Sequence, residues 1–127
     1  MKILVTGGAG FIGSHLSDLL VLQGHQVSVI DDLSGGYKEN LKDVAFYQAD
    51  CRNADEMDTL IGAIKPEIVF HLAANAAENL AQFSPIEITS RNYSAFINVL
   101  TPFIKNKGRR FIFTSSIAVY GGGQTPF

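Results

Sequence analysis

The sequence predicts an α/β fold: a doubly wound parallel sheet with strand order 3-2-1-4-5, truncated after strand five. Two observations lead there. Five short runs rich in apolar and β-branched residues begin near Ile3, Val27, Val44, Glu67 and Arg110, and they alternate with segments of helical periodicity. Such alternation implies parallel pairing through right-handed crossovers. The stretch from Lys2 to Gly13 also passes from a strand through a glycine turn straight into a helix. In folds of this class a ligand is expected at the carboxyl ends of strands one and four.

Ile3–Thr6 reads as a short buried strand. Gly7, Gly10 and Gly13 follow as G-x-x-G-x-x-G, and Phe11, Ile12, Leu16, Leu19 and Leu20 give the next segment an apolar face. A strand, a glycine turn and a helix in succession form a phosphate cradle, where free N–H groups and the positive end of the helix dipole favour an anion. The helix should run from about Phe11 to Gln23 and stop at Gly24. Val27–Ile30 is strand two and ends in Asp31 and Asp32. Asp31 lies 24 residues after Gly7, near the offset at which an acid meets the adenosine ribose. A carboxylate there accepts the ribose hydroxyls and repels a 2′-phosphate, which argues for NAD over NADP.

Leu33–Tyr37 reads as a turn, and Lys38–Lys42 as one helical turn. Val44–Gln48 is strand three. Asn53 and Glu56 fit a reciprocal capping box for a helix whose apolar face is Met57, Leu60, Ile61 and Ile64, ended by Pro66. Glu67–His71 is strand four, and the small residues Leu72–Asn75 suit close approach to a flat ligand. Ser84, Pro85 and Glu87 mark a second helix start. That helix should reach Lys107 and stop at Gly108, with Pro102 bending or breaking it near Asn98. Arg110–Thr114 is strand five, followed by Ser115–Gly121 and a loop over Gly122–Phe127.

The chain has 127 residues, 46% hydrophobic and 17% charged, with a net charge of −2. That suits one globular domain and gives no electrostatic case for nucleic acid. No apolar run approaches the ~20 residues of a membrane span. A single cysteine, Cys51, and scattered His15, His25 and His71 argue against disulfide and metal sites. A cytoplasmic setting is expected.

Six ordered motifs resemble extended short-chain dehydrogenases/reductases, and more narrowly the NAD-dependent nucleotide-sugar epimerases and dehydratases of the UDP-glucose 4-epimerase type. They are Thr6–Gly13, Asp31–Gly35, Asp50–Arg52, His71–Ala74, Asn92 and Thr114–Gly121. The resemblance implies that residues 1–127 form an NAD-binding Rossmann domain without a C-terminal substrate domain. It implies that backbone N–H groups of Gly7, Gly10, Phe11, Ile12 and Gly13 hold the pyrophosphate. Asp31, with Asp32, Ser34 and Gly36, would bind the ribose. Asp50 would meet the adenine, with the Cys51 backbone beside it. Leu72, Ala73 and Ala74 would line the path to the nicotinamide, Asn92 would shape the active-site floor, and Thr114 would lie near the nicotinamide. Ser116 matches the catalytic serine that hydrogen-bonds the sugar oxygen undergoing oxidation.

The family's catalytic base is a tyrosine four residues before a lysine. Tyr37, Tyr47, Tyr93 and Tyr120 are followed at that spacing by Leu41, Cys51, Ile97 and Gln124. The expectation is therefore a chain that binds NAD and does not turn over alone, with a non-catalytic NAD-binding module or one part of a split enzyme as alternatives. A Phe-Ile-Phe edge on strand five and the helix over residues 85–107 predict association, as a homo-oligomer.

Overall fold

The computed structural model describes residues 1–77 and 82–122, so the expected terminal loop beyond Gly122 lies outside the described residues. The five strands are β1 (Lys2–Thr6), β2 (Gln26–Asp31), β3 (Ala45–Gln48), β4 (Ile68–His71) and β5 (Arg110–Phe113). All pair in parallel, in the order β3-β2-β1-β4-β5. Thr6 pairs with Ile30 on one side and His71 on the other, while Asp31 pairs with Gln48 and His71 with Phe113. The carboxyl ends are thus level along one edge. The chain reverses direction across the sheet between β1 and β4, and a crevice opens at such a switch point.

Alternate residues of the strands feed two cores, as a period of two requires. Ile3, Val5, Val27 and Val29 pack with Leu20 of α1 (Phe11–Leu22). Leu4, Ile30 and Val69 pack on the other face with Met57, Ile61 and Ile64 of α2 (Ala54–Ile64). Ala95, Val99 and Phe103 of α4 (Ala95–Lys105) join that second core. Pro85–Thr89 forms the short α3.

Four local expectations need correction. The buried face of α1 is Gly13, Ser14, Ser17 and Leu20, while Phe11, Ile12 and Leu19 are exposed. The reason is backbone proximity: a Cβ on Gly13 would lie 2.2 Å from the Gly7 carbonyl oxygen. Small residues must face the sheet there, and the Ser17 hydroxyl is satisfied by donating to the Gly13 carbonyl at 2.8 Å. The capping box of α2 is only half formed. Asn53 Oδ1 accepts from the Glu56 N–H at 3.3 Å, but the Asn53 N–H donates to the Asp50 carbonyl instead.

Pro102 does not break its helix. It is buried, and α4 continues through it to Lys105. The missing Pro102 N–H costs the ladder only the bond to the Asn98 carbonyl, and the Asn98 side chain separately donates to the Cys51 and Arg52 carbonyls. The irregularity lies earlier, in a five-residue π turn over Ser90–Ser94 between α3 and α4. The left-handed residue that ends α4 is Lys107, at φ +59°, and Gly108 follows it with its N–H on the Phe103 carbonyl. Among the described residues, no helix is long and apolar enough to cross a membrane.

Candidate functional site

A cleft of about 210 Å³ opens at the carboxyl edge of the sheet. It brings together Gly7, Gly10, Asp31, Asp32, Ser34, Gly36, Asp50, Cys51, Leu72, Ala73 and Ala74, all singled out from the sequence. Phe11, Ile12 and Gly13 form the first turn of α1 at its rim. Asn92, Thr114 and Ser116 do not line the cleft.

The glycine turn is held by backbone fit. Gly7 sits at φ +69°, and a Cβ on it would lie 2.7 Å from the Ala73 nitrogen and 2.9 Å from the Leu72 carbonyl carbon. The turn after β1 and the strip after β4 therefore press together without room for a side chain. The Ser14 N–H makes the first i→i−4 bond, to Gly10, so the N–H groups of Phe11, Ile12 and Gly13 precede the helical ladder. Gly10 provides no capping side chain, and the first turn holds no acidic residue. An uncapped helix start with three free donors fits the pyrophosphate of a dinucleotide.

Three aspartates follow around the cleft. Asp31 is 8% exposed; Oδ2 accepts the Ala9 N–H at 2.9 Å and Oδ1 the Leu33 N–H at 2.8 Å. The carboxylate thereby ties the glycine turn to the end of β2, and each oxygen keeps a further lone pair. Asp32 Oδ1 accepts from both the N–H and the hydroxyl of Ser34. The Asp50 carboxylate is gripped by Arg52 through Nε at 2.8 Å and Nη2 at 2.6 Å, and that side-chain bond holds it below the usual carboxylate range. Burial pushes the Cys51 thiol up to about 12, with Asp50 adding to the effect, so Cys51 offers the site its backbone and not a thiolate.

The remaining predicted residues are engaged elsewhere. The Asn92 side chain accepts the Asn75 N–H at 2.7 Å and donates to the Asn75 carbonyl at 3.0 Å, clamping the strip that follows β4. Thr114 donates its hydroxyl to the His71 carbonyl at 2.9 Å. Ser116 caps the 3₁₀ turn Ile117–Tyr120, its Oγ accepting the Ala118 N–H at 3.1 Å. That leaves the Ser116 hydroxyl proton free to donate, on an exposed side chain.

Sequence reasoning missed His71, Arg52 and Arg91 as site residues. His71 is 1% exposed, with Nδ1 2.8 Å from Thr6 Oγ1. Thr6 Oγ1 also accepts the Ala73 N–H at 3.4 Å. The His71 Nε2 is buried without a hydrogen-bond partner, and the imidazole packs among the rings of Phe96, Phe111 and Phe113. Burial lowers the His71 pKa to about 4. Arg52 and Arg91 line the cleft, and Glu87 bridges their guanidinium groups. The i,i+4 spacing of Glu87 and Arg91 was a readable signal. Their reach to the turn after β2 was not.

A family model described as the NAD dependent epimerase/dehydratase family matches residues 3–127. The chain is 38% identical to the UDP-glucose 4-epimerase of Halalkalibacterium halodurans, over 95% of this chain and 36% of the relative. A Thermotoga maritima UDP-glucose 4-epimerase crystallised with UDP-glucose superposes with a TM-score of 0.94 at 39% identity, covering all of this chain and 42% of that one. The Thermus thermophilus UDP-glucose 4-epimerase in complex with NAD superposes at 0.88 with 32% identity, covering 91% of this chain and 38% of that one. The chain thus spans about two fifths of the length of these relatives.

Proposed function

The chain belongs to the NAD-dependent epimerase/dehydratase family, and on that premise we propose that it is the NAD-binding half of a nucleotide-sugar epimerase or dehydratase. The observation that carries this reading is the cleft in which an uncapped glycine turn faces the Asp31 carboxylate. The N–H groups of Phe11, Ile12 and Gly13 would hold the pyrophosphate. Contrary to the sequence expectation, those of Gly7 and Gly10 are already donated, to the Ile30 carbonyl at 2.8 Å and the Gly7 carbonyl at 3.3 Å, so these two glycines would act by allowing the approach. Asp31, Asp32, Ser34 and Gly36 would surround the ribose, and Asp50 and the Cys51 backbone would meet the adenine. Leu72, Ala73 and Ala74 would wall the path toward the nicotinamide end, and Asn92 fixes that wall through Asn75. Thr114 holds the end of β5 against β4, where it would lie near the nicotinamide.

Hydride exchange with a sugar carbon is the chemistry that NAD supplies when bound. Ser116 keeps a proton on Oγ and would direct it to the sugar oxygen. Residues 1–127 contain no Tyr-x-x-x-Lys base, so on this reading they bind NAD and do not turn over a sugar nucleotide by themselves. The protein would work in the cytoplasm, as a homo-oligomer. Exposed Ile86, Tyr93, Ile97 and Ile104 along residues 86–104, and Phe113 at the sheet edge, support that assembly.

Calorimetric titration with NAD and NADP tests the cofactor, and Asp31→Ala should weaken NAD about tenfold while narrowing the preference over NADP. An unchanged ratio would make Asp31 a turn residue only. Reduction of NAD by residues 1–127 on addition of a UDP-, GDP- or dTDP-sugar would show that another base has been recruited.

A further inference from the structure

We propose that Arg91 is a latent receiver for a 2′-phosphate, and that Asp32, by holding its guanidinium, sets the preference of this cleft for NAD over NADP. The inference rests on the reading that Asp31 stands beside the ribose, and it assigns part of the cofactor choice to a second pair of residues. Arg91 comes from the π turn between α3 and α4, far along the chain from the turn that follows β2. It nevertheless lines the same cleft as Asp31, Asp32 and Ser34.

Its guanidinium is anchored at one end and loosely held at the other. Nε is bonded to the Glu87 carboxylate, while Nη1 lies 3.4 Å from Asp32 Oδ2 and 3.3 Å from Ser34 Oγ. Arg52 differs: its Nε and Nη2 grip Asp50 at 2.6–2.8 Å, and its Nη1 is on Glu87. Arg91 is therefore the guanidinium with an exchangeable partner beside the ribose turn. Asp32 is built to present one oxygen to it, because Oδ1 is already taken by the N–H and hydroxyl of Ser34 at 2.8 and 2.6 Å.

Charge gives the sign. Among the described residues, the charged lining is Asp31, Asp32 and Asp50 against Arg52 and Arg91. Glu87 behind them bonds both guanidinium groups, which leaves this end of the cleft negative and hostile to a doubly charged phosphate. Removing the Asp32 charge frees Nη1, and a guanidinium fork matches phosphate oxygens well.

The test compares dissociation constants for NAD and NADP in the full-length gene product, for wild type, Asp32→Asn, Arg91→Gln and the double variant. Asp32→Asn should raise NADP affinity relative to NAD by about tenfold, a gain that shrinks with added salt. The double variant should return the ratio to the wild-type value. Asp32→Ser provides a second variant of the same sign should the amide perturb the turn. An unmoved ratio in both Asp32 variants, or a gain that survives Arg91→Gln, overturns the inference while leaving the NAD-binding reading intact. Failure of the wild-type protein to bind NAD overturns both.

Discussion

Replacing Gly13 by alanine sets two effects of opposite sign against each other. In a helix interior alanine is favoured over glycine by about 1 kcal/mol. At Gly13, however, the new Cβ would lie 2.2 Å from the Gly7 carbonyl oxygen and 2.6 Å from Gly8 Cα. Both obstacles are backbone, so neither can rotate away. Ordinary contact begins near 3.4 Å, and the first turn of α1 must retreat from β1 by about an ångström. Overpacking of this kind costs about 3 kcal/mol, at the upper end of its usual range. After the helix gain, a net loss of about 2 kcal/mol remains. Gly62 in α2 is the control, since a Cβ there meets nothing within 4 Å. Gly62→Ala should stabilise by about 0.5–1 kcal/mol. Denaturant unfolding without ligand, with midpoints compared at unchanged slope, measures both. If Gly13→Ala matches or exceeds wild type while Gly62→Ala gains as expected, the close approach of α1 to the glycine turn is not rigid and the fit argument for the cradle fails.

Three further outcomes follow from the site. His71 is held neutral by burial, with its pKa near 4 in the fold against about 6.5 unfolded. The unfolded chain therefore binds more protons between those values. Stability is full above pH 6.5 and falls as the pH drops toward 4, by roughly 3 kcal/mol at most; a flat denaturation midpoint across that window would remove His71 from the account. Cys51, its thiol pushed up to about 12, should resist alkylation in the native protein and react once unfolded, so rapid labelling under native conditions would contradict its burial. Asn92→Ala removes both bonds to the Asn75 backbone and should cost about 1–2 kcal/mol in unfolding, with NAD binding weakened through the loosened strip.

Much of the fold was legible in the chain because its signals are local. Ile3–Thr6, Val27–Ile30 and Arg110–Thr114 announce strands by composition, and the helix between Asn53 and Pro66 is bounded by a cap and a proline. Strand order followed from the alternation of elements and the handedness of crossovers. What misled was periodicity without depth. Phe11, Ile12 and Leu19 have helical spacing, yet the face of α1 that meets the sheet is made of glycine and serine, because backbone approaches backbone there. Pro102 marks a bend or break by local rule, whereas α4 runs through it to Lys105 with the proline buried alongside Val99 and Phe103.

By itself, then, the sequence determined the order of elements, the glycine cradle and the acid at the end of β2, all set by residues close together in the chain. Only the tertiary structure decided how the cleft is electrically balanced. Arg91 meets Asp32 across 59 positions, and His71 reaches Thr6 across 65. Such pairs form because a level sheet edge gathers the ends of separate strands, and that juxtaposition leaves no mark on either local stretch of sequence.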